Sequence, residues 1–318
     1  MQRRSFLASS LVIPAALSAN QSDTVFPRLP HKGKFRISLK ADAIGVNGGA
    51  EDLLPAAEKH GYEALSVPAQ WLENWEARQL AAFADEATQK DITWGANGLP
   101  VEFRRTEAQF RSDLAALPKH AKNLAAIGVT RIGTWILSGH ETLTYNENME
   151  QHAERLRDCA RIMGKEGIKL GLEYLGTPSL RRNPRFAFLS TGRELKELIT
   201  LIGEPNVGVI LDSFHWYTAQ ESVEDLMIWK NEEIVAVDLN DANSQLSILD
   251  QTDTARELPG ATGKIDLDNF IRALVKIGYD GPVRAEPFNS TLNQLDNELA
   301  LAATYAAVRG SIDQALGK

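Results

Sequence analysis

The chain has 318 residues, 43% of them hydrophobic and 24% charged, with a net charge of −8. That length can bury the core of one large α/β domain. The acidic balance, with no long basic block, excludes nucleic-acid backbone as the main partner, because neutralising phosphates takes clustered Lys and Arg.

Residues 1–19 differ in composition from the rest of the chain, with Arg3 and Arg4 ahead of Ser5, Phe6, Leu7 and an apolar run through Leu17. This composition reads as a signal peptide. Its RRSFL string resembles the twin-arginine export signal, which implies a protein delivered already folded to the periplasm; an ordinary secretory signal or a short N-terminal anchor is the alternative. Residues 20–34 form a polar, proline-containing lead, and 35–318 form the predicted domain. No later stretch reaches the ~20 apolar residues of a membrane span. The single cysteine, Cys159, excludes an intramolecular disulfide framework. It falls within the helical segment AERLRDCARIMGKEG and reads as a small core residue.

Short apolar runs then alternate with longer amphipathic ones. The predicted strands are 35–41 (FRISLKA), 63–68 (EALSVP), 92–97 (ITWGAN), 130–136 (TRIGTWI), 168–174 (IKLGLEY), 207–212 (VGVILD), 234–240 (IVAVDLN) and 282–287 (PVRAEP). Seven segments of helical periodicity separate them, and an eighth runs from about Leu292 to Leu316. Eight strand-then-helix units fit a single-domain α/β fold, the (β/α)8 TIM barrel, better than an open doubly wound sheet. Gly in KHGY, AIGV, KEGI and KIGY ends a helix just before strands two, four, five and eight, which fixes the loops after the strands as the functional face. No glycine-rich phosphate loop occurs.

Four carboxylates stand at or near strand ends: Glu173 on strand five, Asp212 on strand six, Asp238 on strand seven and Glu286 on strand eight. Each follows an apolar run, and an ionised carboxylate there is costly without a cation or hydrogen-bond donors. Four of them converging would repel one another unless a metal sat between them. An all-oxygen site favours one divalent ion, Mn²⁺ or Mg²⁺ above Cu or structural Zn. His215, three residues after Asp212, can share that cavity. The alternative is that each carboxylate merely caps a helix or pairs with an Arg at the barrel mouth.

GLEYLG, LDSFHW, VDLNDA and the stretch RELPGATGKIDLDNFIRALVKIGYDGPVRAEPF together resemble the xylose isomerase-like TIM-barrel superfamily of sugar isomerases and epimerases, over about residues 35–310. The resemblance implies one divalent ion held by Glu173, Asp212, Asp238 and Glu286, with Glu173 and Glu286 also serving as acid and base. Asp238 stands where the family usually has His. His215 and Arg256 match substrate-binding positions, and the implied partner is a small sugar or polyol.

Two carboxylates beside an ion suit proton abstraction next to a carbonyl through an enediolate, giving isomerisation or epimerisation. With a leaving group β to the carbanion, the same machinery gives elimination, so a lyase or dehydratase is the alternative. A non-catalytic sugar-binding protein and an endonuclease-like enzyme fit less well, the first because binding alone needs no paired acid and base. Trp94, Trp135, Trp216 and Phe288 lie near strand ends, where they either stack on a sugar ring or pack at the rim, and Trp135 and Trp216 are the expected substrate contacts. His140 reads as a loop residue rather than a pocket residue. The insertion NSQLSILDQTDTAR is a lid, a subunit contact that would make the chain a homo-oligomer, or a surface loop.

Overall fold

A computed structural model describes residues 35–317; the expected signal peptide and the lead to residue 34 lie outside the described residues. All eight predicted strands are present: β1 Arg36–Leu39, β2 Ala64–Leu65, β3 in two pieces at Thr93–Trp94 and Asn97–Gly98, β4 Arg131–Ile136, β5 Lys169–Tyr174, β6 Val207–Asp212, β7 Ile234–Leu239 and β8 Pro282–Ala285. Every neighbouring pair is parallel. The first piece of β3 bonds to β2 and the second to β4, so the two ends of the strand order meet at one position and the sheet closes on itself. The fold is the expected (β/α)8 TIM barrel.

Outside the ring lie α1 Ala50–Lys59, α2 Ala77–Gln89, α3 Glu107–Ala126, α4 Tyr145–Lys165, α5 Gly192–Ile202, α6 Leu267–Ile277 and α7 Asn297–Leu316. Two short helices, Ser213–Thr218 and Val223–Leu226, serve between β6 and β7. Gly278 ends α6 with φ 84°, as the helix-stop reading expects. The last helix starts at Asn297 rather than near Leu292, because the Asp296 side chain accepts the Leu299 N–H and caps it there. Cys159 is fully buried within α4, and burial pushes its thiol up to about 12, the behaviour of a core residue. Among the described residues no helix is long and apolar enough to cross a membrane.

Strand side chains alternate between the interior and the helix layer. At mid-height the interior is built of small residues around one large one: Ala96 and Ala236 pack with Ile210, and a Cβ on Gly133 or Gly171 would lie 2.3 or 2.8 Å from the Ile210 side chain. This thin floor leaves open space above it, toward the C-terminal ends of the strands. One more buried acid shapes that end. Asp241, just past β7, accepts N–H bonds from Ala242, Thr262, Gly263 and Ile265 at 2.8 to 3.0 Å, pinning the loop that carries the LPGATG turn. Asp241→Ala strands those donors and should lower the unfolding free energy by about 3 kcal/mol. Urea denaturation checks this; a loss under about 1 kcal/mol would contradict it.

Candidate active site and metal centre

The alternation that builds the floor also aims the site residues. Gly171 and Glu173, Ile210 and Asp212, and Ala236 and Asp238 are spaced by two on their strands, so each of these carboxylates sits one layer above the floor; Arg284 is in register with Asp238, and Glu286 follows just past β8. All four predicted carboxylates meet: their donor oxygens lie within 4.8 Å of one another, and each residue is less than a tenth exposed. Glu173 and Glu286 line a cavity of about 840 Å³ together with Lys40, Trp135, Arg256, Arg284 and Phe288, a size that suits a small molecule, while Asp212 and Asp238 are buried beside it.

Each carboxylate has a different environment. The Asp212 Oδ1 accepts the Phe214 N–H at 2.6 Å, capping the helix Ser213–Thr218, while Oδ2 accepts from Arg256 Nη1 at 2.8 Å. Asn240 donates to both Asp212 oxygens at 3.1 Å and accepts the Glu286 N–H at 2.9 Å, bolting three strand ends together. Asp238 is gripped by Arg284, with Nε 2.5 Å from Oδ1 and Nη2 3.0 Å from Oδ2. Glu286 lies 3.4 Å from Lys40 Nζ and 3.6 Å from Arg256 Nη1. Glu173 is the exception, since its buried Oε1 has no hydrogen-bond partner. Burial first, then the charges of Glu286, Asp212 and Asp238, push its carboxyl well above the ordinary value.

His215 and Arg256 reach the same cluster. The His215 Nδ1 accepts the Gly176 N–H at 3.3 Å, and the Arg256 Nη2 donor lies 3.2 Å from its Nε2. That nitrogen faces Asp253 Oδ1 at 3.4 Å and Glu173 Oε1 at 3.8 Å. Complete burial lowers the His215 pKa, which favours the neutral ring. Gly176 is required here, because a Cβ would stand 2.3 Å from the His215 carbonyl oxygen. Arg256 is 1% exposed and lies between the rings of Phe214 and Phe288, at 5.0 and 5.1 Å. Phe288 adopts φ 45°, a strained value for an aromatic residue, as it lays its ring against the guanidinium and the cavity. Burial works against the Arg256 cation, but the charges of Asp212, Asp253, Glu286 and Glu173 outweigh it and hold the guanidinium charged.

The aromatic expectations divide. Trp135 borders the cavity, is 47% exposed and carries Arg104 over its ring at 4.2 Å. Trp216 does not reach the cavity and is corrected to a core residue: its indole packs on Phe270 at 5.5 Å and donates to the Ser222 carbonyl at 2.9 Å. It sits on the helix Ser213–Thr218 next to His215, and consecutive helical residues point to different sides. Trp94 packs against Phe83 at 5.3 Å. The His140 Nδ1 accepts the Thr142 and Leu143 N–H groups, and the residue pairs antiparallel with Phe186 in a two-residue strand rather than lying in a loop.

Sequence reasoning missed Arg284, Asn240, Lys40 and Asp253. The first two were findable, because each lies two residues from a chosen carboxylate on the same strand face. Asp253 comes from the insertion, which folds back through Gln251 bonded to the Asn243 carbonyl at 2.8 Å and delivers Asp253 to Arg256 at 2.9 Å. No periodicity marks such a residue.

The family profile of the xylose isomerase-like TIM barrel matches residues 54–309. The chain is similar to the inosose isomerase of Bacillus velezensis, 24% identical over 257 residues that cover 79% of this chain and 88% of that one. It is also similar to the 3-dehydroshikimate dehydratase of Pseudomonas aeruginosa, 28% identical over 138 residues, 43% of this chain and 20% of that protein. Among solved structures, a xylose isomerase domain protein from Alicyclobacillus acidocaldarius superposes with a TM-score of 0.78 at 30% identity, covering 89% of this chain and all of that one.

The raised Glu173 pKa has a consequence for stability. In metal-stripped protein the folded state keeps the Glu173 proton at pH values where the unfolded chain has lost it, so this carboxyl costs stability as pH rises from the ordinary value of 4.5 through the folded value. Glu173→Gln removes that cost. Its melting temperature in chelator should gain on wild type between pH 5 and pH 8, by about 3 °C or more. Parallel melting curves across that range would contradict the assignment.

Proposed function

The chain belongs to the xylose isomerase-like TIM barrel family, and from that premise we propose that it is a divalent-metal-dependent isomerase or epimerase acting on a sugar or polyol by proton transfer next to a carbonyl. The observation that carries this reading is the meeting of four buried carboxylates, one of them with an unpartnered oxygen, at the C-terminal mouth of the barrel. The similarity to an inosose isomerase supports the same class of reaction.

The residues fit an ion. Four ionised carboxylates against the two buried guanidiniums of Arg256 and Arg284 leave two negative charges, and Lys40 at the rim, 3.4 Å from Glu286, is shared with Asp42 at 2.7 Å. The residues that would hold the ion are Glu173, Asp212 and Glu286, with Asp238 the fourth carboxylate of the cluster and already in the grip of an Arg. An all-oxygen set of this kind suits Mn²⁺ or Mg²⁺. When bound, the ion would supply Lewis-acid stabilisation of negative charge on a substrate carbonyl oxygen.

The chain's own side chains would do the rest. Glu173 and Glu286 enter from strands three positions apart and exchange the substrate proton, one removing it and the other returning it. Arg256 would present N–H donors to substrate oxygens, with His215 buried against it to orient it, and Trp135 offers an exposed ring face at the cavity edge. The similarity to a dehydratase favours one second reading, in which the same proton abstraction expels a β leaving group.

We also propose export of the folded enzyme to the periplasm, on the strength of the Arg3–Arg4 motif and the apolar run behind it. Replacing Arg3 and Arg4 by Lys should hold the precursor in the cytoplasm; unchanged export would rule out the twin-arginine route.

Glu286→Gln keeps an oxygen ligand but removes the proton acceptor. At saturating Mn²⁺ it should exchange substrate hydrogen with deuterated solvent about 10²-fold more slowly than wild type. Near-normal exchange would exclude Glu286 as acid or base, and purified protein that takes up no divalent ion would exclude the metal-dependent reading.

A further inference from the structure

The carboxylate cluster is not uniform, and its asymmetry bears on how an ion would be held. Asp238 and Arg284 are Cα partners across β7 and β8, and both Asp238 oxygens are hydrogen-bonded to the guanidinium. The pair is nearly inaccessible, at 0% exposure for Asp238 and 6% for Arg284. The third arm of Arg284, Nη1, donates to the Ala96 carbonyl at 2.7 Å, which seats the guanidinium directly on the barrel floor. Ala96, Ala236 and Gly133 are small enough to leave it that room.

The other buried arginine is held differently. Arg256 takes one Asp212 oxygen but also has Asp253 at 2.9 Å, the Asp253 carbonyl at 2.8 Å and the Glu286 carbonyl at 3.1 Å. It can release Asp212 and remain bonded. Arg284 cannot release Asp238 on those terms, since among the described residues it has no second hydrogen-bonded carboxylate, and an unpaired guanidinium at that depth is strongly destabilising. At the opposite extreme, the Glu173 Oε1 has nothing to give up.

We infer that Asp238 is the counter-ion of Arg284 and not a ligand, so that the ion of the proposed site is held by Glu173, Asp212 and Glu286 alone, with the Asp238–Arg284 pair closing the strand-seven side. This rests on the metal-dependent reading above. A three-carboxylate site leaves one more coordination position for substrate oxygens than a four-ligand site. It also places the Arg284 charge in the cavity wall, where it tempers the affinity of the cluster for cations.

The test is Mn²⁺ binding to the chelator-stripped full chain, read by calorimetry and by the loss of the free-ion electron paramagnetic resonance signal, with no assay of activity. Single removal of Asp238 would strand Arg284, so the informative variant is Asp238→Asn combined with Arg284→Met, which removes both charges of the pair together. Its Mn²⁺ affinity should stay within about five-fold of wild type, while Asp212→Asn should lose about 100-fold. Arg284→Met alone, which frees Asp238, should bind Mn²⁺ about ten-fold more tightly. A loss of more than five-fold in the double variant would overturn the inference while leaving the metal-dependent reading intact. Absence of Mn²⁺ binding by wild type would remove that reading and this inference with it.

Discussion

Mutual repulsion among Glu173, Asp212, Asp238 and Glu286, with donor oxygens within 4.8 Å in a buried barrel mouth, is the constraint around which the rest of this structure is arranged. Charges at such spacing in a low-dielectric interior cannot coexist without compensation. The chain supplies part of it through Asn240, which donates to Asp212, and through Arg256 and Arg284, which hold two of the four carboxylates. What remains uncompensated is concentrated on Glu173, whose orphaned oxygen and raised pKa mark where further positive charge would have most effect.

Arg256 shows how the fold turns that constraint into a site. It lies between two aromatic rings, reaches β6 through Asp212, and touches β8 through the Glu286 carbonyl. Asp253 ties the insertion after β7 to it, so this long segment completes the site wall. Burial and charge pull Asp253 in opposite directions: desolvation raises its pKa, and the charge of Arg256 leads the interactions that overcome it. The Arg256 donors are thus fixed in place before any ligand arrives, a preorganisation that the proposed proton transfer would need.

Strand positions and carboxylates were legible because both depend on short-range pattern. An apolar run ending in Glu or Asp is a local signal, and eight apolar runs at similar spacing, four of them carrying such an acid, admit few architectures. The same pattern misled at Trp216, where closeness in sequence to His215 stood in for direction in space; one step along a helix turned the indole into the core. Arg284 was legible in principle, since period-two alternation puts it on the face of Glu286, yet its partnership with Asp238 depends on the register of β7 against β8, which no single strand reveals. Asp253 lay beyond reach because loop closure is decided by contacts such as those of Gln251 and Arg256.

The claim most exposed to experiment is that the carboxylate cluster completes its charge balance with a divalent cation. Anomalous diffraction from crystals of the full chain equilibrated with Mn²⁺ tests it directly. The account predicts one strong peak in the barrel mouth, bonded to Glu173, Asp212 and Glu286, with Arg284 still on Asp238. A mouth without a peak, its carboxylates neutralised by Arg256, Arg284, Lys40 and a protonated Glu173, would contradict it.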